Sequence, residues 1–326
     1  MMNLHQIVLG ARVRTLALFV APVAMGVAAA WHLLRAHGTA SSGRTWLLAV
    51  LCLAVAAFLQ IGANYANDYA DGIRGTDAHR GGAGTVDPDD GHVPDYEELH
   101  APVRLVASGV APRAVLTAAA ASAALACLCG LVATALTGHW WLLALGAICV
   151  AAGWCYVGGP HPYGYHGWGG IAAFVFFGPV ATVGTTYVMS GTTDLFSWVG
   201  GVLAGLVALA MIGVNDIRDL DTDREAGKRT LAVRMGHTAS LVCLTAMLAM
   251  VGVAMLAATI WLGVRGDDNP DIWWSFCAVV GMVAVELLGW FAVRAAWQGE
   301  HMRAMLLLSE LALALAVSFA GFALAL

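Results

Sequence analysis

Charged side chains are scarce in this sequence. They make up 11% of its 326 residues against 60% hydrophobic ones, and the mean hydropathy is +0.76. That balance excludes an ordinary soluble domain, in which about a quarter of the residues carry charge. Cysteine in paired spacing is also lacking. Cys52, Cys127, Cys129, Cys149, Cys155, Cys243 and Cys277 form no CxxC and all fall inside apolar stretches, so they read as small core residues and not as a disulfide or metal framework. There is no GxxxxGK[ST] loop, no HExxH and no GxSxG, which removes three common catalytic frameworks.

What is present is a series of long apolar runs. Nine candidate spans lie near 15–34, 46–66, 113–136, 139–157, 168–190, 194–214, 240–263, 272–294 and 303–325, each near the roughly 20 residues that cross a hydrocarbon core about 30 Å thick. The first run follows Arg12 and Arg14 as a signal peptide would, but it is too long for an h-region and more spans follow, so it counts as helix one. The expected fold is all-α: a polytopic membrane helix bundle of nine transmembrane helices forming one domain over 1–326. When loops are assigned alternately to two sides, thirteen of the 16 Lys and Arg fall on the side of the N-terminus and only Arg35, Arg44 and Arg265 on the other. The positive-inside rule then predicts a cytoplasmic N-terminus and an external C-terminus. The cell membrane is the expected location.

Two hydrophilic segments break the apolar pattern, residues 64–112 and 215–238, and both fall on the cytoplasmic side. They resemble each other, since Asn64, Asp68 and Asp71 prefigure Asn215, Asp219 and Asp223, and basic residues follow each set. A duplication of a four-helix unit, helices 2–5 and 6–9, is one reading of that likeness. The stretch 84–100 is acidic with two prolines and reads as a solvated loop insertion.

On a helix, positions i, i+4 and i+7 or i+8 share a face, so each set forms a stripe of oxygen ligands. A carboxylate at the bilayer centre costs roughly 2.5 to 3.5 kcal/mol, so four of them facing lipid would cost on the order of 10 kcal/mol. They must face a polar cavity, water or a metal. Opposed carboxylates suit a hard cation such as magnesium, which takes one or two protein carboxylates and fills its octahedron with phosphate oxygens and water. Arg74 and Arg104 accompany the first set, and Arg218, Arg224, Lys228 and Arg229 the second; this mixture fits a metal-bound diphosphate. A divalent-cation transporter would carry the acids without so many local bases. His161 and His166 in "HPYGYHGWGG" lie either near a ligand or in an interfacial aromatic belt with Tyr163, Tyr165 and Trp168.

These motifs resemble the UbiA superfamily of intramembrane aromatic prenyltransferases. Within it, "NDYADGIRGTD" at 67–77, "RLVASG" at 104–109, "GGPHPYGYHG" at 158–167, "FVFFGPVATVGTTYV" at 174–188 and "NDIRDLDTDREAGKRTLAVRMG" at 215–236 are similar to the 1,4-dihydroxy-2-naphthoate branch, MenA. The resemblance implies a magnesium-dependent transfer of a polyprenyl group from polyprenyl diphosphate to 1,4-dihydroxy-2-naphthoate, with loss of CO2 and diphosphate. Asn64, Asp68, Asp71, the more distal Asp77, Asn215, Asp219 and Asp223 match the metal-binding motifs, and Lys228 and Arg104 match diphosphate-binding bases, with Arg74 and Arg229 beside them.

Arg12 and Arg14 match the start of helix one in this branch, though Val13 stands where proline is usual. Tyr156, Phe177 and His161 are candidates for the prenyl or acceptor side. The connection between "NDYADGIRGTD" and "RLVASG" is longer than the family's, and Gly170 replaces an acidic residue. "DGIR" at 71–74 is not continued into the DGxxAR…GxxxDxxxD string of alcohol phosphotransferases. Rival readings are prenylation of another aromatic acceptor and a cation-coupled transporter. The partners expected are the two substrates and the lipid bilayer, and no nucleic acid.

Overall fold

A computed structural model describes residues 2–12, 17–38, 42–75, 103–265 and 272–325. Arg14, Asp77 and the acidic stretch 84–100 lie outside the described residues. Among the described residues every regular element is helical. In chain order they are α1 (Leu4–Ala11), α2 (Ala17–Ala36), α3 (Gly43–Arg74), α4 (Pro112–Thr137), α5 (Leu142–Val157), α6 (Gly169–Ser190), α7 (Leu195–Arg218), α8 (Leu220–Glu225), α9 (Leu231–Met235), α10 (His237–Arg265), α11 (Ile272–Trp297) and α12 (His301–Ala325).

Eight of these, α2, α3, α4, α6, α7, α10, α11 and α12, are long and apolar enough to cross a membrane. The expected count of nine differs by α5. It has 16 residues, about 24 Å at 1.5 Å per residue, and so falls short of the roughly 30 Å hydrocarbon core. Gly138, with φ +76°, closes α4, and Gly158 closes α5, so at most the 19 residues between them could be helical.

Local sequence sets the helix ends. Asn3 with Gln6, Ser42 with Thr45 and Asp194 with Ser197 form reciprocal caps at the starts of α1, α3 and α7, each satisfying amide groups that have no partner inside the helix. The side chains are arranged inside out relative to a soluble protein. Trp46, Val50, Leu128, Trp140, Trp198, Val253, Trp273 and Trp290 are exposed, as lipid-facing residues of a membrane bundle are.

Small residues let the helices approach. A Cβ at Gly178 would lie 2.4 Å from the Gly201 carbonyl oxygen and 2.7 Å from the Gly205 Cα, so α6 rests directly on α7. The chain at that point takes a π-helical turn, Phe176–Val180, containing Pro179; a proline without an N–H is tolerated where the regular ladder is already interrupted. The main core gathers around α7, with Met211, Val214, Leu244, Met255, Leu308, Leu311 and Leu315 almost fully buried. A smaller cluster of Tyr65, Ala66, Ala70, Leu105, Val115, Ala119 and Val157 lies beneath the end of α3.

Two helices matter most for position. α3 runs 32 residues, about 48 Å, longer than a hydrocarbon core of about 30 Å requires, and its last turns carry Asn64, Asp68 and Asp71. α7 ends at Arg218, and α8 and α9 follow as short segments. The ends of α1, α3, α5 and α7 and the loops after them meet at one end of the bundle, as the contacts below establish.

Candidate active site

The first acidic set is held between the N-terminal segment and the "RLVASG" loop. Asp68, 1% exposed, accepts a hydrogen bond from the Arg12 guanidinium and has Arg104 at 3.7 Å. The Leu105 amide also donates to its Oδ2 at 3.5 Å. Arg12 reaches it because the chain leaves α1 in a left-handed turn at φ 52°. The loop reaches it because Gly72 leaves space for Val106, whose Cγ1 would sit 2.5 Å from a Cβ there. Asn64 is engaged by the protein: its Nδ2 donates to the Ala11 carbonyl at 3.0 Å, and its Oδ1 accepts from Gln60 at 3.4 Å.

The two acidic sets meet at Lys228, the chain's one lysine. Its Nζ lies 3.9 Å from Asp71 Oδ2 and 3.5 Å from Asp223 Oδ1. Asp71, Asp223 and Lys228 are all buried. One ammonium thus faces carboxylates from α3 and α8, more than 150 positions apart in the chain, in a place largely closed to water. Removal from water strengthens their attraction but costs each charge its hydration.

The second set is less regular than a single helical stripe. The helix breaks at Asp219 (φ −91°, ψ 10°), yet the Asp219 amide still bonds the Asn215 carbonyl and the Asp223 amide that of Asp219, so the i, i+4 spacing survives the break. Arg218 holds the Asp219 carboxylate with two N–H donors, at 2.8 and 3.0 Å. Asn215 donates to the Met211 carbonyl of its own helix at 3.4 Å.

Asp216 is a site residue that the sequence reading left out. It interacts electrostatically with Asp223, Asp219, Lys228 and Arg218, and Tyr156 interacts with Asp216, Asp71 and Asp223. The signal was available: Asp216 and Asp223 are seven apart, the same interval as Asn64 and Asp71.

The loop 158–167 closes the site from a third direction. Arg74 donates to the carbonyls of Val157 and Gly159. The Arg229 amide bonds the Tyr165 carbonyl at 2.7 Å, and Arg234 bonds the His166 carbonyl at 2.8 Å. Gly167 has φ +83°, and a Cβ there would lie 2.9 Å from the Arg229 oxygen, so both the left-handed conformation and the contact favour glycine. Tyr165, which the sequence reading assigned no role beyond an aromatic belt, donates its hydroxyl to Asp71. Tyr163 bonds the Ala152 carbonyl at 2.9 Å, and burial pushes its phenol up to about 12.

On the outer side, Arg74, His161, His166 and Arg229 with Tyr165 line a cleft of about 350 Å³. The remaining sequence candidates stand apart from the acids. His161 is exposed in that cleft, and Phe177 packs against the main core. Gly170 is pressed on α7, where a Cβ would lie 2.6 Å from Leu209 Cδ1, so a larger side chain there would require Leu209 to shift.

Among the described residues no three His, Cys, Asp or Glu side chains are grouped to hold an ion by themselves. The acids that do converge, Asp71 and Asp223, are all-oxygen donors from opposite segments. They fit an ion that completes its shell with water and phosphate oxygens, as magnesium does.

Comparison with known proteins gives the family and the fold. The pattern of the UbiA prenyltransferase family matches residues 19–286. A 1,4-dihydroxy-2-naphthoate octaprenyltransferase of Mycobacterium tuberculosis is 43% identical over 304 residues, 91% of this chain and 86% of that protein. The protein of the same name from Escherichia coli is 33% identical, over 69% of this chain and 67% of its own. Among solved structures, a UbiA homolog from Archaeoglobus fulgidus bound to DMAPP and Mg2+ superposes with a TM-score of 0.58 at 15% identity, covering 94% of this chain and 97% of that one. The last likeness is one of fold.

Proposed function

The chain belongs to the UbiA prenyltransferase family, and from that premise we propose that it transfers a polyprenyl group from polyprenyl diphosphate to 1,4-dihydroxy-2-naphthoate. The observation that carries this reading is the convergence of Asp71 and Asp223 on Lys228. Two acidic segments and a buried base form one chamber of the kind a metal-bound diphosphate needs. Relatives of that activity at 43% and 33% identity support the choice of acceptor.

Asp68, Asp71, Asp219 and Asp223, with Asp216 beside them, would provide the oxygen donors for magnesium. Magnesium, where bound, neutralises charge that accumulates on the departing diphosphate. Lys228 and Arg104 orient the phosphate oxygens, and Arg229 draws the diphosphate from the cleft. Arg12 holds the Asp68 carboxylate in place, and Arg74 holds the loop 158–167 against α3.

The allylic C–O bond breaks with its electron pair going to the diphosphate. The face of Tyr156 stabilises the resulting cation. The ring carbon bearing the carboxylate attacks the allylic carbon, and the carboxylate leaves as CO2, its bonding pair restoring the aromatic ring. The product is the quinol form of demethylmenaquinone. Burial of Asp68, Asp71, Asp223 and Lys228 keeps out the water that would quench the cation.

The same reading sets the protein in the cell membrane with α5 completing nine crossings, the N-terminus and active site toward the cytoplasm and the C-terminus external. α5 crosses by local thinning of the bilayer, the usual accommodation of a short span. Purified protein in detergent with magnesium, a long polyprenyl diphosphate and dihydroxynaphthoate should release CO2 and diphosphate in equal amounts and form the prenylated quinol. Folded protein that forms no product with dihydroxynaphthoate but prenylates a hydroxybenzoate would move the assignment to another acceptor. Failure with every aromatic acceptor would end the prenyltransferase reading for this chain.

A further inference from the structure

Tyr165 belongs to neither acidic segment, yet it touches both. Its hydroxyl donates to Asp71 Oδ1. Its ring has Lys228 Nζ 4.5 Å from the centroid and Arg74 Cζ 5.3 Å from it. Its carbonyl accepts the Arg229 amide at 2.7 Å. Asp71 and Arg74 come from the first segment, Lys228 and Arg229 from the second. A single aromatic residue on a one-turn 3-10 helix, Tyr163–His166, therefore joins the two halves of the chamber.

The geometry has a chemical consequence. A carboxylate that accepts a phenol proton on one oxygen loses rotational freedom, because the hydrogen bond is directional. In Asp71 the Oδ1 is engaged by Tyr165, and Oδ2 is the oxygen nearest Lys228, at 3.9 Å. The ring fixes the other partner. An ammonium over an aromatic face is attracted to it, so the Lys228 head is held beside Asp71 and Asp223 instead of ranging through its rotamers. The turn that presents the ring is itself tied down by Arg74 to Gly159 at 2.6 Å and by Arg234 to His166 at 2.8 Å.

We propose that Tyr165 is a positioning residue of the diphosphate site: its hydroxyl orients Asp71 for the metal, and its ring places Lys228 for the diphosphate. This rests on the prenyltransferase reading above. The two parts of the side chain separate the two roles. Tyr165→Phe removes only the hydroxyl and should raise the magnesium concentration for half-maximal rate by roughly tenfold, with the KM for polyprenyl diphosphate nearly unchanged at saturating magnesium. Tyr165→Leu removes the ring as well and should in addition raise that KM by roughly tenfold. Tyr163→Phe, whose hydroxyl meets only a backbone carbonyl in the bonds described, should change neither.

A second readout is independent of turnover. Magnesium with inorganic diphosphate should raise the unfolding temperature of the wild type in detergent. Tyr165→Phe should need about tenfold more magnesium for the same rise, and Tyr165→Leu should lose most of it. If the wild type turns over and is stabilised while both variants match it in magnesium dependence, KM and stabilisation, Tyr165 is only packing and the proposal is overturned. If the variants lose unfolding temperature without ligand but keep the wild-type magnesium and diphosphate responses, the role is structural and the proposal is again overturned. If the wild type neither turns over nor responds to magnesium diphosphate, the prenyltransferase reading fails first and takes this one with it.

Discussion

Replacing Lys228 by Met tests the chamber most directly, because one side chain bridges two buried acids. The ammonium lies 3.5 Å from Asp223 and 3.9 Å from Asp71. At an effective dielectric of about 20, each of these attractions is worth about 4 to 5 kcal/mol before the desolvation of the lysine is set against them. Removing one member of a buried ion pair has a net cost of about 3 to 5 kcal/mol, and here two carboxylates are left facing each other. Lys228→Met should therefore unfold at lower temperature than the wild type in magnesium-free detergent.

Magnesium should reverse much of that loss, because it supplies the missing positive charge to the same oxygens. The unfolding free energy of the variant should climb by about 1.4 kcal/mol for each tenfold rise in free magnesium above its Kd. The wild type, in which the lysine competes for the acids, should respond only at higher magnesium. Turnover should fall by roughly a hundredfold or more, since the diphosphate loses its buried base. The assay is thermal unfolding across a magnesium series, with calcium and sodium chloride as comparisons. A variant as stable as the wild type, or one no more responsive to magnesium than the wild type, would refute the claim that Asp71 and Asp223 form one ion site around Lys228.

Other outcomes follow from the same geometry. Arg12→Ala and Arg104→Ala should each reduce stability moderately, whereas the double variant should lose more than the sum by about 0.5 to 3 kcal/mol, because both cations serve Asp68; strict additivity in chemical unfolding would disprove the sharing. Asp216→Asn should raise the magnesium requirement by about tenfold while raising the unfolding midpoint without metal, since it removes one of several like charges; an unchanged magnesium titration would take Asp216 out of the site. Gly167→Ala should cost more stability than Gly159→Ala. Both have positive φ, but only at Gly167 would a Cβ meet the Arg229 carbonyl, at 2.9 Å. The shared conformational cost is about 1 to 2 kcal/mol, and equal losses in unfolding temperature would show that the loop is not pinned there.

Much of the fold was legible in the sequence because the bilayer leaves few choices. A run of about 20 apolar residues must be a helix, since an unsatisfied backbone in lipid is too costly, and eight of the nine expected runs have that length and character. α5 was the exception, since hydropathy marks apolar content but not where Gly138 and Gly158 stop the helix. The acids were legible as well: four carboxylates at helix ends of an apolar chain need a reason, and spacing placed Asp68 and Asp71 on one face. Their partners were less so. Tyr165 reads as one interfacial aromatic among several, and Asp216 as a neighbour of Asn215, until the chain is folded.

The sequence alone determined the membrane bundle, the two acidic segments and the family pattern, because these depend on composition and on periods of three to seven residues along one helix. Tertiary structure decided which charge meets which: Lys228 with Asp71, Arg12 with Asp68, Tyr165 with both segments. Those pairings join residues more than fifty positions apart. They depend on helix packing and on loop geometry fixed by residues such as Gly167 and Gly178, and no local pattern in the chain encodes a distance between two helices.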